Sequence, residues 1–258
     1  MFPAGELRQI SDRWMLRGGP NGGYLATVAL SAMEAAVPGR SPLSATVHFL
    51  SRPEVGEIDA TVRTLRTGRA HASVQADVSQ GGTPRMSAIA TFTNQTIFEG
   101  EDTGTRVGTR EMPGVPEPDE AVPLPIEHLT GSFERRLDRR APSAQIVEFL
   151  SGQASGPPEI GGWTRFSDGT PLCPLTVPLF MDSWPPPPHR RFGIGGHVVT
   201  VDLTVHWRGR PGGGWHLVWF ESHFLQNGYI EIDGWLWRPD GGLVAQSRQL
   251  ARYVAPGG

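Results

Sequence analysis

Few residues of this sequence have the types and spacings of common catalytic centres. Every basic side chain other than histidine is an arginine, so a Schiff-base mechanism, which needs a lysine amine, is excluded. No Gly-x-Ser-x-Gly motif marks a serine nucleophile, and the eight histidines show neither HExxH nor HxH spacing. Cys173 is the only cysteine and therefore lacks a partner for a cysteine-containing metal site. We expect no metal site and no organic cofactor.

The elements that position any functional residue begin with a glycine-rich turn that leads into an apolar helix. Asn21 is a natural N-cap for this helix, and Pro38 with Gly39 ends it. A series of alanines gives the helix small side chains around which a sheet can wrap closely: Ala26, Ala29, Ala32, Ala35 and Ala36.

Period-two alternation follows the helix and predicts antiparallel strands over 58–62, 72–78 and 86–92. The same order recurs later, as an apolar helix in PLTVPLFMDSW followed by strands in VVTVDLTVHW, GWHLVWFESHF, GYIEIDGWLW and LVAQSRQLARY. VHFLSRP (47–53) also matches VHWRGRP (205–211). This internal repeat predicts two copies of one helix cradled by an antiparallel sheet.

The segment between the two copies, residues 97–130, is rich in proline, glycine and acidic residues, a composition typical of a linker. We therefore expect one unit over residues 1–96 and a second over residues 131–258. Two units of this size are consistent with a chain of 258 residues.

The charge and hydropathy of the chain restrict its partners. A net charge of −3 and a pI near 6.2 argue against a nucleic-acid partner, because the arginines are scattered among acids. Neither a charged-then-apolar leader nor a long uncharged apolar run indicates secretion or membrane insertion. We expect a cytoplasmic enzyme or binding protein.

One helix inside a curled antiparallel sheet, present twice, resembles the double hotdog fold, an α+β architecture. Five stretches resemble, in order and spacing, the acyl-CoA thioesterase II family and its thioesterase-like relatives: NGGYLATVAL, TVHFLSRP, LRTGRAHASVQADVSQGG, GGWTRFSDG and GGLVAQSRQLARY. The resemblance spans nearly the whole chain apart from the linker. It implies two tandem copies of a sheet wrapped around a central helix. It also implies an acyl-CoA or acyl-carrier thioester as substrate, and a homo-oligomer.

The resemblance further implies hydrolysis without a covalent intermediate, by a water that an Asp, a hydroxyl residue and a Gln of the second unit hold. These residues correspond to Asp182 in LFMDSW, Thr200 in VVTVDL and Gln249 in QSRQLA. Such a set suits the chemistry, because a thioester carbonyl is already electrophilic and a positioned water deprotonated by a carboxylate suffices. We expect Asp182 to act as the base.

Two further groups are candidates for substrate contacts. Gly22 and Gly23 could donate backbone N–H groups to an oxyanion at the helix start, or could be glycines only for close packing. Arg66 and Arg69 belong to a resembling stretch and could bind CoA phosphates, or could be solvated surface residues.

The internal repeat also compares the two units position by position. It sets three pairs opposite each other: Glu34 with Asp182, Pro42 with Thr200, and, with a small gap, Phe92 with Gln249. The first unit thus has an acid without its water-holding partners. We expect one working site, in the second unit.

Strand alternation raises a difficulty for Thr200, which falls on the face opposite Val199, Val201 and Leu203. Either the strand bulges near its start, or Thr200 lies beyond the cover of the helix.

Two alternatives to hydrolysis remain. A hotdog hydratase or dehydratase acting on enoyl-CoA would use an Asp and a His, and the nearest pair is Asp182 with His189, separated by four prolines. A non-catalytic acyl-binding or scaffold protein would keep the fold without turnover.

Overall fold

The apolar stretch near the start of the chain forms α1 (Gly22–Glu34), as predicted. The fold is that of a computed structural model, which describes residues 8–94, 111–125, 131–149, 152, 156–194 and 196–255. Asn21 caps α1, because its side chain accepts a hydrogen bond from the backbone N–H of Tyr24. Most residues of α1 are buried, since strands cover one side of the helix and a second helix packs on it.

The four long strands of the first part of the chain form an antiparallel layer beside α1. The strands up to residue 94 are β1 (Gln9–Ile10), β2 (Met15–Leu16), β3 (Gly19–Pro20), β4 (Arg40–Phe49), β5 (Gly56–Glu57), β6 (Asp59–Thr67), β7 (His71–Gln80) and β8 (Thr83–Asn94). The predicted alternation holds in β7, where Ala72, Val74, Ala76 and Val78 are buried. It fails in β6, where Ala60 is exposed because β6 is the terminal strand of its sheet.

The second part repeats this order with a much shorter helix. Its strands are β9 (Val122–Pro123), β10 (Leu137–Ala141), β11 (Glu159–Phe166), β12 (His197–Trp207), β13 (His216–Glu221), β14 (Leu225–Gln226), β15 (Tyr229–Trp237) and β16 (Leu243–Val254). Its α-helices are α2 (Ala144–Phe149), α3 (Val177–Phe180) and α4 (Pro188–Phe192). Single 3₁₀ turns occur at Asp12–Trp14, Glu134–Arg136 and Pro174–Thr176.

The second apolar helix was predicted over PLTVPLFMDSW, but α3 has only four residues. Prolines explain its length. Pro174 and Pro178 lack the N–H that a helix interior needs, so they fit only first turns. Pro185 disfavours helical geometry at the residue before it. The chain therefore leaves the helix just before Asp182, which puts this residue in a turn rather than on a helix face.

One large antiparallel sheet joins the two parts. Its strand order is β6-β7-β8-β4-β12-β16-β15-β13-β11-β10-β9, with β14 also paired to β15. The junction is the β4–β12 pair, in which Thr46 lies directly opposite Thr204 and their hydroxyl oxygens are 2.9 Å apart. The sequence repeat makes these two threonines equivalent positions, so the pairing is symmetric about them.

A register shift interrupts both central strands at equivalent places. In β12 it falls between Thr200 and Asp202, and in β4 between Pro42 and Ser44. Each shift leaves one residue unpaired, and the side chains beyond it change faces. This bulge is one of the two explanations that the sequence left open for Thr200, and it brings Thr200 to the same face as Leu203.

Part of the predicted linker packs against the second half. Residues 97–110 and 126–130 lie outside the described residues, whereas 111–125 are described. The carbonyl oxygen of Pro116 accepts a hydrogen bond from the Trp163 indole, and that of Pro118 accepts one from Arg140. Ala121 joins a small core cluster with Trp163 and two other buried residues. This stretch is therefore a packed segment and not a free tether.

Candidate active site

The carboxylate of Asp182 lies against the N-terminus of α1. Its Oδ2 accepts hydrogen bonds from Asn21 Nδ2 at 2.9 Å and from the backbone N–H of Gly23 at 3.0 Å. Asn21 Nδ2 also donates to the backbone carbonyl of Asp182 at 2.8 Å. An acid of the second half is thus held by the helix of the first half, where the helix dipole favours negative charge.

Asn21 has two functions at once, of which the sequence indicated only one. Its Oδ1 caps α1 by accepting from Tyr24 N at 2.8 Å, while its Nδ2 donates to Asp182. Ser, Thr and Asp cap helices equally well, but only Asn among the strong N-caps also carries two N–H donors. The choice of an amide at the N-cap was the only sign in the sequence of a second hydrogen bond. It does not identify the acceptor, Asp182, which lies 161 residues away.

The other predicted partners approach Asp182 from the sheet. Gln249 Nε2 lies 3.4 Å from Asp182 Oδ1 and 3.3 Å from the carbonyl oxygen of Met181. Thr200 donates its hydroxyl to Gln249 Oε1 at 3.0 Å. The three residues that the resemblance selected therefore form one chain of hydrogen bonds. Gln249 is 4% exposed, so its amide is fixed by these partners and not by solvent.

Burial raises the pKa of Asp182 to about 6, above the ordinary value of 3.8. Hydrogen bonds from Gly23, Gln249, Gly22 and Asn21 favour the charged form and oppose this shift, but desolvation is the larger effect. The residue keeps partial exposure, so water reaches the turn that carries it. A carboxylate with a pKa near 6 is a stronger base than an ordinary aspartate and is still mostly ionised at neutral pH.

The two predicted oxyanion glycines lie at this contact. The Gly23 N–H already donates to Asp182, and a side-chain carbon on Gly23 would lie 2.1 Å from the carbonyl oxygen of Pro178. A side-chain carbon on Gly22 would lie 3.0 Å from Asp182 Oδ2. Both positions therefore require glycine. At Gly23, the missing side chain lets α3 pack closely on α1. At Gly22, it lets the Asp182 carboxylate approach the helix. The Gly23 N–H could reach an oxyanion only after leaving the carboxylate.

The equivalent positions of the first half differ. Glu34 is the last residue of α1, and burial raises its pKa, but no described residue forms a hydrogen bond or ion pair with its carboxylate. Pro42 occupies the position of Thr200. The residue equivalent to Gln249 is Ala90 and not Phe92 as the sequence alignment predicted, because Ala45 pairs with Ala90 as Leu203 pairs with Gln249. The alignment error arose from the gap in the preceding turn.

The remaining predicted residues are not brought to Asp182. Arg66 lies on β6 and Arg69 in the turn after it, and β6 is four strand positions from β12, about 19 Å measured along the sheet. Burial lowers the pKa of His189, whose ring lies near the backbone of Gly196. No described contact joins His189 to Asp182, so the geometry lacks the acid–histidine pair that a hydratase requires.

No three His, Cys, Asp or Glu side chains of the described residues gather as a metal-binding set. In the same part of the chain, no helix has the length and apolar character needed to cross a membrane.

Two family models match the chain. One is described as the N-terminal domain of acyl-CoA thioesterase and matches residues 10–93. The other is described as the C-terminal domain of acyl-CoA thioesterase and matches residues 109–253. The second match alone covers more than half of the chain and includes Asp182, Thr200 and Gln249.

The chain is also similar over most of its length to a relative and to solved structures. The chain is 24% identical over 277 residues to the uncharacterized protein Rv0499 of Mycobacterium tuberculosis, covering 96% of this chain and 90% of that protein. A conserved protein of unknown function with hot dog fold from Alicyclobacillus acidocaldarius has a TM-score of 0.82 at 22% identity, over 96% of this chain and 92% of that chain. The acyl-CoA thioesterase II TesB2 of Mycobacterium marinum has a TM-score of 0.68 at 20% identity, over 92% and 90%. These structural likenesses show a hotdog fold.

Proposed function

The chain belongs to the acyl-CoA thioesterase family, and we propose that it hydrolyses an acyl-CoA thioester to a free acid and CoA through a water at Asp182. The observation that carries this proposal is the hydrogen-bonded set of Thr200, Gln249 and Asp182 at the start of α1. A thioester needs only an activated water, so this set meets the chemical requirement without a serine or cysteine nucleophile.

Oδ1 of Asp182 is the oxygen that takes the proton. Oδ2 faces the start of α1, where Asn21 and Gly23 donate to it, whereas Oδ1 has one long contact, to Gln249. A carboxylate oxygen accepts about two hydrogen bonds, so Oδ1 retains a lone pair for water. As the water attacks, its oxygen bonds to the thioester carbon and its proton passes to Oδ1. The C–S bond then breaks, and the proton passes from Asp182 to the departing sulfur.

Thr200 and Gln249 position the water. The Thr200 hydroxyl donates to Gln249 Oε1, which fixes the amide so that Nε2 points toward Asp182 and Met181. Thr200 Oγ1 keeps lone pairs that accept the second proton of the water. Two acceptors on one water, Oδ1 and Oγ1, fix its orientation before the thioester arrives.

We also propose that the molecule is a double hotdog, two tandem copies of a helix and its sheet with a single working site in the second copy. The symmetric pairing around Thr46 and Thr204 and the equivalent register shifts in β4 and β12 support the duplication. The presence of Pro42 and Ala90 where the second copy has Thr200 and Gln249 supports the single site.

Release of free thiol from a panel of acyl-CoAs, short to long and branched to aromatic, tests the activity. The proposal predicts turnover of at least one member. Acyl-CoA binding without turnover of any member would instead show a non-catalytic acyl-binding protein.

A single turnover in H₂¹⁸O, with enzyme in excess over acyl-CoA, tests whether water attacks the thioester directly. Direct attack by water places one ¹⁸O in the product acid and none in the protein. If the Asp182 carboxylate were itself the nucleophile, the first product would be unlabelled and ¹⁸O would appear in Asp182. That result would overturn the role of Asp182 as a base while leaving the hydrolytic activity in place.

A further inference from the structure

The end of β4 lies beside the candidate active site. A side-chain carbon on Gly22 would lie 3.4 Å from Phe49 Cζ, on the same glycine that Asp182 approaches. Phe49 is the last residue of β4, and Arg52 follows three residues later. The loop after β4 therefore leaves the sheet at the rim of the Asp182 site.

Arg52 lies across the segment that leads into α1. A side-chain carbon on Gly19 would lie 2.4 Å from Arg52 Nε and 3.0 Å from Arg52 Cζ. Gly19 also has a φ of +138°, so its lack of a side chain provides both the backbone conformation and the space for the guanidinium. Gly19 is three residues from Gly22, and three residues span at most about 11 Å. The Arg52 guanidinium is thus near the start of α1, which Asp182 contacts.

The backbone of Arg52 is held in place from a neighbouring strand. Arg85 Nη1 donates to the carbonyl oxygen of Arg52 at 2.8 Å and to Ser51 Oγ at 3.2 Å. Ser51 in turn donates its hydroxyl to the carbonyl oxygen of Pro84 at 2.6 Å. The loop therefore presents Arg52 from a fixed backbone, which reduces the entropy lost when an anion binds.

The charge of Arg52 is not neutralised by the described part of the chain. Arg52 is exposed and forms no ion pair with a described residue, and the same holds for Arg17, two residues before Gly19 in the β2–β3 turn. In contrast, Arg165 and Arg248 pair with Asp138 and Asp233. The Arg52 guanidinium, which packs on Gly19, has the charge and the planar set of donors that suit a phosphate, and Arg17 is near that glycine along the chain.

We propose that Arg52, assisted by Arg17, binds a phosphate group of CoA while the thioester lies at Asp182. This inference rests on the proposed thioesterase function and names the residues that recognise the carrier part of the substrate. The pantetheine arm separates thioester from phosphate and is long enough to pass from Gly22 to the region of Gly19. Arg66 and Arg69, selected from the sequence, lie on the edge strand β6 and in the turn after it, four strand positions from β12.

The internal repeat provides a matched control. Arg210 in VHWRGRP is the equivalent of Arg52 in VHFLSRP, and it is also exposed. Arg210 lies in the loop after β12, just as Arg52 lies in the loop after β4. Arg52→Gln and Arg210→Gln therefore remove the same charge from equivalent loops, of which the first follows Phe49, beside the contact of Gly22 with Asp182. Glutamine keeps most of the side chain that packs on Gly19.

The test compares hydrolysis of one acyl group carried on CoA and on N-acetylcysteamine, which has no phosphate. We expect Arg52→Gln to raise KM for the acyl-CoA about tenfold, with kcat unchanged, since a solvated charged hydrogen bond contributes roughly that factor. Arg17→Gln should have a smaller effect in the same direction. Neither should change kcat/KM for the N-acetylcysteamine thioester, and Arg210→Gln should change neither substrate. The rise of KM with salt should be weaker in Arg52→Gln.

Equal effects on both substrates, no effect on acyl-CoA, or an equal effect of Arg210→Gln would overturn the inference. Calorimetric binding of CoA alone tests the phosphate site without turnover. It therefore separates failure of this inference from failure of the proposed function. If the wild type hydrolyses nothing, the thioesterase proposal fails, while a roughly tenfold weaker Kd for CoA in Arg52→Gln still supports the phosphate site. An unchanged Kd would refute the site.

Discussion

The two halves of this molecule carry an acid after equivalent methionines, yet the two acids have different surroundings. Asp182 accepts hydrogen bonds from Asn21, Gly23 and Gln249. Glu34 ends α1 without a hydrogen bond or ion pair to any described residue. Burial raises the pKa of both carboxylates. A raised pKa therefore does not distinguish a candidate base from an unused acid, whereas its hydrogen-bonded neighbours do.

The backbone of the two halves is more alike than their side chains. Both central strands shift register at equivalent points, so the geometry that turns Thr200 inward exists in the first half as well. There the position holds Pro42, which has no hydroxyl, and Ala90 stands where Gln249 stands. The proposed single site thus depends on two side chains placed on a shared framework.

The largest expected difference between the halves is in activity. Asp182→Asn keeps the shape of the side chain but cannot accept the proton of water, so kcat/KM should fall by about 100-fold or more. Glu34→Gln, the matched change in the first half, should leave kcat/KM close to the wild-type value. Thiol release by the two purified variants measures both. A comparable loss in Glu34→Gln would show that both halves take part in catalysis, contrary to the proposed single site.

The two side chains proposed to hold the water, Gln249 and Thr200, should have the next largest effect. Gln249→Leu should lower kcat by roughly 10- to 100-fold and Thr200→Val by about 10-fold, because a misoriented water loses the advantage of positioning. Thr204→Val is the control, since it makes the same change on the same strand at the outer junction with Thr46. If Thr204→Val lowers kcat as much as Thr200→Val, the loss reflects the strand and not the water.

The smallest effect concerns stability. Asp182 has a folded-state pKa of about 6 against 3.8, so it binds a proton on folding and its charge opposes folding at higher pH. Asp182→Asn should therefore raise the free energy of unfolding by about 1–2 kcal/mol at pH 8, allowing for partial exposure and lost hydrogen bonds. The gain should vanish as pH falls through 6 toward 4.

Glu34, in the first half, provides a second test of this effect on stability. Glu34→Gln should stabilise the protein in the same pH direction but by less, because its carboxylate is only half-buried. Urea unfolding of both variants at the two pH values measures the effect. Destabilisation by Asp182→Asn at high pH would contradict the view that this acid is kept for function at a cost in stability.

Local sequence signals predicted much of the framework. The N-cap Asn21, the helix that it begins and the alternating strands β7 and β8 follow from residue type and period alone. The bulge at Thr200 was one of two open explanations, because alternation shows a conflict of faces but does not say how the backbone resolves it.

What the sequence did not predict depends on contacts between distant residues. The bond from Asn21 to Asp182 joins residues 161 apart, and the placement of Arg52 on Gly19 depends on how β4 meets the start of α1. The predicted length of α3 was wrong for a local reason, because Pro174, Pro178 and Pro185 limit the helix within an otherwise apolar run. The pairing of Gln249 with Ala90 required the strand register itself.

The most direct test of the account is the pH dependence of kcat/KM for the wild type and for Asn21→Ser. Serine still caps α1 but removes both amide donors to Asp182, one of which favours its charged form. The reactive form is the carboxylate, so wild-type kcat/KM should hold above the pKa and fall about tenfold per unit as pH drops below about 6. In Asn21→Ser this break should move to higher pH. A flat profile, or a break that stays in place in Asn21→Ser, would show that Asp182 is not the base.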